Sequence, residues 1–409
     1  MRRKTVLVLG DYRQTVTVVR SLGRAGFRVV LGCERPHSST ALSRHVSTVR
    51  LFDASSPGRF CDNLKAWLQQ ERPDFVFPVG EAELRWLLND GRHALASLSS
   101  WVMPDAATVL RCFDKRAMYH LATALGIPVC EWRSYNGVPG CLRDASRLGY
   151  PVVMKRKDSS ATLRGSKAVI CRSVGELEQF LANAHHDPDP GSLIVQKYAT
   201  GDRHNCHFVS DRGRIVAFFE QKVLRTDGQD GTGSGLEGIS VAPLPELRAY
   251  CQRLLEHLEY TGIGCIQFLV DDLTKSVAFL EVNARMDSTA ALPYRLGIDF
   301  PLIALRIAAG QTVQVPRDYA LGKRYYSLYE DINVWLGHRR CISPGRLFAW
   351  SMKMPWLALR SYDLMFDWRD PVPALHQVGK KALESTIKLV RRPKEKTARK
   401  RSIESSARP

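Results

Sequence analysis

The chain has 409 residues but no apolar run near the ~18–20 residues that a membrane-spanning helix needs. Its best stretch, Phe300 to Gly310, is short and broken by Arg306. The ten cysteines include no CxxC pair, and no His/Cys cluster has zinc-finger spacing. They read as scattered small hydrophobes of a reducing, cytoplasmic protein and not as a disulfide framework. No Walker A sequence occurs. The first apolar segment runs into Gly10-Asp11-Tyr12-Arg13-Gln14-Thr15, one glycine where a dinucleotide fingerprint needs three. Neither NAD nor a P-loop is expected. Met1-Arg2-Arg3-Lys4 followed by Thr5 to Gly10 imitates a secretory leader. Its apolar part stops at Asp11, too early for one, so a first buried strand is expected there.

Acidic residues are also short: 41 Asp+Glu against 59 Lys+Arg, a net charge of +18. The last thirty residues hold eleven Lys/Arg and three Glu, a net +8. That tail reads as solvated, either a solubilising terminus or a contact for an anionic partner. Upstream, Phe348, Trp350, Trp356, Tyr362, Phe366 and Trp368 are interleaved with Lys353, Arg360 and Arg369. Most of those aromatics are expected to pack on the core. Together with the basic tail they favour peripheral contact with an anionic membrane over nucleic acid, which is not expected as a partner.

What is present is ordinary globular composition, 44% hydrophobic and 24% charged, enough for about two to four domains. Thr5–Leu9, Phe27–Gly32 and Asp74–Val79 read as buried strands, alternating with helical spacing over Val16–Ala25 and Phe60–Gln70. That alternation predicts a parallel, doubly wound sheet. Its carboxyl edge, near Gly10, Asp11, Gly80 and Glu81, faces a substrate. Asp105–Leu125 is a helical stretch. Strands are predicted at 152–155, 167–171, 192–198, 215–223, 263–270 and 276–283, with loops at 156–166 and 224–238.

The hairpin over 263–283 carries the clearest chemistry. Residues two apart on a strand share a face, so Glu281 and Asn283 project together, with Gln267 on the partner strand. Oxygen donors with a single carboxylate suit magnesium, which leaves other positions to phosphates and water. Arg285, two residues on, can stabilise charge on a transferring phosphoryl group. A glutamate and an asparagine at a strand end also serve as caps or turn residues, and that alternative stays open. Lys155 ends an apolar strand and enters a loop rich in hydroxyls and cations, including Ser159 and Ser160, which can offer hydrogen bonds to phosphate. Lys115 lies in the amino-terminal half of a helix, where a cation opposes the dipole. The loop 224–238, with four glycines from Leu224 to Gly235, is either a connector or a substrate-facing flap with Arg225 as an anion clamp.

In that order these stretches resemble the ATP-grasp superfamily from about Asp105 to Gly310. Asp114-Lys115 with Gly126-Ile127-Pro128, and Tyr150–Lys155, look like the family's two ATP-contacting lysine segments. The loop 156–166 resembles its phosphate lid, thinned to Gly165. Gln196-Lys197-Tyr198 resembles the hinge that reads adenine, and Arg203-His204 the Arg-His of biotin carboxylases. Gln267, Glu281, Asn283 and Arg285 match the metal ligands and arginine of carbamoyl phosphate synthase large chains, and Glu281–Arg285 followed by Ser288–Leu292 is especially close.

The resemblance implies an α/β protein: a Rossmann-like preATP-grasp domain (1–104), an ATP-grasp fold (105–192 with the lid, 193–310 with the metal site) and a C-terminal extension (311–409). It implies ATP and Mg2+ as cofactors. Lys115, Lys155, Ser159, Ser160, Gln196, Lys197, Tyr198 and His204 would bind ATP. Gln267, Glu281 and Asn283 would hold the metal, Arg285 and Lys155 would act in catalysis, and Glu81 and Arg225 would bind substrate. The expected function is a ligase that activates a carboxylate as an acyl phosphate and joins it to an amine. Small-molecule carboxylate and amine substrates and a homodimer are the expected partners. The alternatives are a carbamoyl- or carboxyphosphate-forming enzyme, or a non-catalytic nucleotide-binding protein with a basic tail.

Overall fold

The computed structural model describes residues 3–90, 95–163, 165–182, 189–228, 231–338 and 343–381. The basic tail beyond 381, on which the anionic-partner reading rests, lies outside them.

Thr5–Leu9 (β1), Arg28–Cys33 (β2), Thr48–Leu51 (β3), Phe75–Pro78 (β4) and Ser100–Trp101 (β5) form a parallel sheet in the order β3-β2-β1-β4-β5. Strand alternation gives it two apolar faces, as a parallel sheet covered on both sides requires. Val6, Val8, Val29 and Phe77 pack with Val18, Val19 and Leu22 of the helix Thr15–Arg24. Leu7, Leu9, Val30 and Val76 pack with Phe60, Leu64 and Leu68 of the helix Pro57–Glu71.

A small antiparallel sheet follows: Trp132–Ser134 (β6), Val152–Arg156 (β7), Ala168–Cys171 (β8) and Leu193–Lys197 (β9), ordered β6-β9-β7-β8. It has its own core of Val152, Met154, Leu177 and Val195. The strand after residue 192 thus belongs to this sheet.

The third sheet comprises Asp202–Asp211 (β10), Arg214–Thr226 (β11), Gly235–Ser240 (β12), Gly262–Val270 (β13), Val277–Asn283 (β14), Arg324–Tyr326 (β15) and Tyr362–Asp363 (β16), ordered β14-β13-β10-β11-β12-β15-β16. One core joins it to the first sheet, since Val209, Phe219, Met286, Leu292 and Phe300 share a cluster with Val6, Val8 and Phe77.

Residues past Gly310 are tied into both. β15 pairs with β12. Asp370 takes Arg20 Nε at 2.9 Å and Ser43 Oγ at 2.6 Å, and Asp367 pairs with Arg24 at 2.7 Å and Arg295 at 2.9 Å. Arg20 and Asp370 are both buried, so removing either partner would strand a charge at a cost of about 3–5 kcal/mol. The strands that make this join are two and three residues long, too short for a periodic pattern. No disulfide joins any of the nine cysteines among the described residues.

The helical stretch 105–125 is two helices, Ala106–Phe113 and Lys115–Ala124, broken at Asp114. Asp114 leaves the helical region (φ −97°, ψ 107°) and its carboxylate caps the second helix, accepting from Arg116 N at 2.8 Å. The break makes Lys115 the first residue of the new helix, and its N–H donates to Lys157 O at 2.8 Å. That bond fixes it beside the loop leaving β7.

Candidate functional site

Between the small and large sheets lies a cleft of about 380 Å3. Lys115, Lys155, Ser159, Gln196, Lys197, Tyr198, Gln267, Glu281, Asn283 and Arg285 all line it. A wider surface hollow of about 630 Å3, lined by Asp105, Arg111, His257 and Glu259, holds none of these residues.

Register explains the grouping. Gln267 of β13 stands opposite Glu281 of β14, and Asn205 of β10 opposite Gln267, so these side chains form one row across the sheet face. Glu281 Oε2 meets Lys115 Nζ at 2.9 Å. Its Oε1 accepts from Asn283 Nδ2 at 3.3 Å, and Arg285 Nη2 donates to Asn283 Oδ1 at 3.3 Å. Burial alone would raise the Glu281 carboxyl, but Lys115, Lys167 and Lys155 hold it down at about 2. Lys155, 7% exposed, sits over the ring of buried Tyr119, 5.1 Å from its centroid. Burial and the neighbouring Lys115 charge push Lys155 down to about 7, against the pull of Glu281. An excess of cation gathered round one carboxylate is an anion site waiting for charge.

The hinge has Gln196 bonded to Cys130 O at 3.1 Å. The N–H groups of Lys197 and Tyr198 are already given to Glu131 O and Pro151 O, at 2.8 and 3.1 Å. A bound base would have to be read by their carbonyls or by the backbone from Ala199 onward. Glu81 begins the helix Glu81–Asp90. It accepts from Ser159 Oγ at 2.8 Å and Arg85 Nη2 at 2.9 Å and lies 3.8 Å from Arg285 Nε. Ser160 turns away from the cleft and bonds Asp158 within its own loop, Oγ to Oδ1 at 2.7 Å.

Besides Ser160, His204 and Arg225 also lie away from the cleft. Arg203 and Asn205 line the cleft, so strand alternation sends His204 to the opposite face. There its Nδ1 sits 2.6 Å from Oε1 of Glu220, a fully buried carboxylate. Arg225 does not lie on a flap, because β11 runs on to Thr226 and β12 begins at Gly235. Only the turn between them is loop, and Gly231 to Ser234 of that turn line the cleft. Arg225 instead grips buried Asp331 through both oxygens, at 2.6 and 2.7 Å. Conversely, Lys167, Arg203, Asn205, Asp287 and Thr289 line the cleft and were not expected there. The two-residue rule of β10 would have found Asn205 from Arg203, had that strand been recognised.

The donor set fits a hard cation. One carboxylate and two amide oxygens match the low carboxylate count of magnesium when phosphates supply the remaining ligands.

Residues 114–315 match the family model described as "Carbamoyl-phosphate synthase L chain, ATP binding domain". The carbamoyl phosphate synthase large chain of Thermus thermophilus is 26% identical over 232 residues, 54% of this chain and 22% of that one. This chain therefore spans about a fifth of the length of such large chains. Among solved structures, the biotin carboxylase domain dimer of Hydrogenobacter thermophilus 2-oxoglutarate carboxylase, with MgADP, ADP and bicarbonate, superimposes with TM-score 0.64. It is 18% identical, over 79% of this chain and 74% of that one. The ADP complex of N5-carboxyaminoimidazole ribonucleotide synthetase gives 0.62 at 15% identity, over 79% and 82%. These matches agree in fold: the chain has an ATP-grasp fold, and residues 114–315, just under half of it, are similar to the ATP-binding domain of carbamoyl phosphate synthase large chains.

Proposed function

We propose that this protein is an ATP- and magnesium-dependent ligase that activates a carboxylate as an acyl phosphate and joins it to an amine. The observation that carries this reading is the convergence of Lys115, Lys155, Gln267, Glu281, Asn283 and Arg285 on one cleft. Lys115, Lys155 and Arg285 hold the triphosphate and offset the charge that develops at the γ-phosphorus. Gln267, Glu281 and Asn283 would hold magnesium, which when bound neutralises triphosphate charge. Ser159 lies at the lid side, and Gln196, Lys197 and Tyr198 border the base.

A substrate carboxylate oxygen attacks the γ-phosphorus and the bond to the bridging oxygen breaks, so ADP leaves. The amine nitrogen then attacks the acyl carbon, the carbon–oxygen bond to phosphate breaks, and the amine's proton passes to solvent. Glu81 ties the first domain to Arg285 and Ser159, so that domain borders the reacting end and shields the acyl phosphate from water.

A screen of carboxylates with amines for stimulated ADP release tests this. Release stimulated by bicarbonate alone would instead favour a carboxyphosphate-forming enzyme, in keeping with the bicarbonate-bound neighbour. Nucleotide binding without stimulated release would leave a binding protein.

A second proposal concerns attachment. Among the described residues no helix is long and apolar enough to cross a membrane. The helix Pro344–Arg360 nevertheless exposes Phe348 (69%), Met352 (63%), Trp356 (45%) and Leu359 (87%), spaced as one helical stripe. Arg360 stacks on Trp356 at 5.2 Å, and the sequence beyond it is strongly basic. Apolar and cationic groups on one face fit the interface of an anionic membrane. The homodimer stays part of this reading, supported by the dimeric neighbour and testable by light scattering.

A further inference from the structure

Beyond the phosphate end, the large sheet carries a patch of polar atoms without partners. Arg203 Nε, Asn205 Oδ1, Gln221 Oε1 and Tyr325 Oη are buried and make no hydrogen bond. Their register places them together. Asn205 of β10 stands opposite Gln221 of β11, and Arg203 lies two residues from Asn205 on the same face. Tyr325 of β15 stands opposite Gly238 of β12.

Two glycines make room for the Tyr325 ring. A Cβ on Gly238 would meet its Cε1 at 2.3 Å, and one on Gly235 would meet its Oη at 2.5 Å. The Gly235 point is also 3.6 Å from Arg203 Nη2, and Gly235, Arg203 and Asn205 line the cleft. The hydroxyl therefore lies buried directly behind Gly235 of the cleft wall, beside a guanidinium. Buried polar atoms are rarely left unpaired, and a cluster of them calls for a polar occupant.

The unpaired set is of two kinds. Arg203, whose Nη1 donates to Gly233 O at 2.7 Å while Nε is unpaired, and Tyr325 are donors suited to a carboxylate. The amide oxygens of Asn205 and Gln221 are acceptors suited to an ammonium group. The Gln221 amide is fixed in that sense, because its Nε2 donates to Thr289 Oγ1. Asp287, also on the cleft, is held below the usual carboxylate range: burial would raise it, but His207, Thr289 and Arg285 lower it. It adds negative charge on the ammonium side.

We propose that this end of the cleft binds a free amino acid, its carboxylate on Arg203 and Tyr325 and its ammonium on Asn205 and Gln221. The inference deepens the ligase reading and rests on it, because it names the class of co-substrate. Tyr325 comes from the segment after residue 315, outside the stretch that matches the family model, so it is a specificity residue this chain supplies for itself.

The experiment uses the full chain saturated with MgADP. The standard L-amino acids are screened by thermal shift at millimolar concentration, and the strongest binder is measured by calorimetry. Its methyl ester, lacking the carboxylate charge, and its deaminated acid, lacking the ammonium, should each bind at least about tenfold more weakly. Tyr325→Phe should weaken the amino acid by about tenfold while leaving MgADP affinity unchanged. The ligand-free Tm should not fall, because the lost hydroxyl has no partner. No shift by any amino acid would overturn the proposal. So would full affinity in Tyr325→Phe, or an ester that binds as well as the acid. Failure of MgADP itself to bind would overturn the nucleotide reading beneath it.

Discussion

Replacing Glu281 by glutamine tests the metal assignment at its one charged ligand. The two side chains have the same shape, so packing is kept and only the charge is lost. Two unit charges about 4 Å apart interact by about 4 kcal/mol at an effective dielectric of 20. Lys115, 2.9 Å from Glu281 Oε2, competes for the same carboxylate and offsets part of that. A net loss of about 2.7 kcal/mol or more of magnesium-dependent stabilisation follows, at least about a hundredfold in ADP formation. Gln267 and Asn283 are neutral and cannot replace the charge. The melting temperature is no guide here. The variant loses the Lys115 ion pair in the nucleotide-free protein, so Tm should drop whether or not Glu281 binds metal. The informative assay is ADP affinity by calorimetry, with magnesium and with EDTA. Wild type should bind ADP more tightly with magnesium, and Glu281→Gln should lose that difference. It should still bind metal-free ADP at least as well, because a negative charge has left a lysine-rich site. An undiminished magnesium effect in a folded Glu281→Gln protein would refute the assignment.

Arg225→Ala should leave ADP affinity unchanged and lower Tm, by about 3 kcal/mol of stability, since it strands the buried Asp331 carboxylate; weakened nucleotide binding with normal Tm would return Arg225 to the site. Lys155, pushed down to about 7 when the site is empty, must be protonated to face phosphate. ADP affinity should therefore be greatest below pH 7 and fall above it, by at most about tenfold per unit. Calorimetry in buffers of different ionisation enthalpy should show proton uptake near pH 7.5, and a flat profile from pH 6 to 8.5 would remove Lys155 from phosphate contact. Phe348→Ser combined with Trp356→Ser should reduce sedimentation with anionic vesicles at low salt without changing ADP affinity, and equal sedimentation would detach the helix Pro344–Arg360 from any membrane role.

The sequence made three of the first sheet's five strands readable, β1, β2 and β4, because they are apolar runs with a glycine or proline at the end, whereas β3 and β5 are only four and two residues long and went unread. It made the Gln267–Arg285 hairpin readable because the two-residue period alone puts Glu281 and Asn283 on one side. β10 escaped notice because its cleft face is polar, carrying Arg203, Asn205 and His207, so no apolar alternation marks it. His204 was placed at the nucleotide by its resemblance to the Arg-His of biotin carboxylases, and with β10 unread no strand alternation was there to oppose it. β12 read as loop because Gly235 and Gly238 disfavour strands. Their reason for being there is the ring of Tyr325, about ninety residues further along the chain. The partner of Arg225 is likewise more than a hundred residues away. Contacts of that span leave no local periodicity, so charge and spacing near Arg225 pointed to a ligand where the fold supplies an aspartate.

The small sheet keeps its apolar residues to itself. Its core of Val152, Met154, Leu177 and Val195 is separate from the one that fuses the first and third sheets, and it meets its neighbours mainly through Ile194 and Trp132. Its other ties to the first domain are polar: Arg85 to Asp158 at 2.7 Å and Ser159 to Glu81 at 2.8 Å. Swinging it outward exposes little oil and trades those bonds for water. That division predicts that the small sheet opens as a unit, about the points where the chain enters near residue 130 and leaves near residue 198. Hydrogen exchange should see that opening, at a rate set by the polar latch and slowed when nucleotide bridges the small and large sheets.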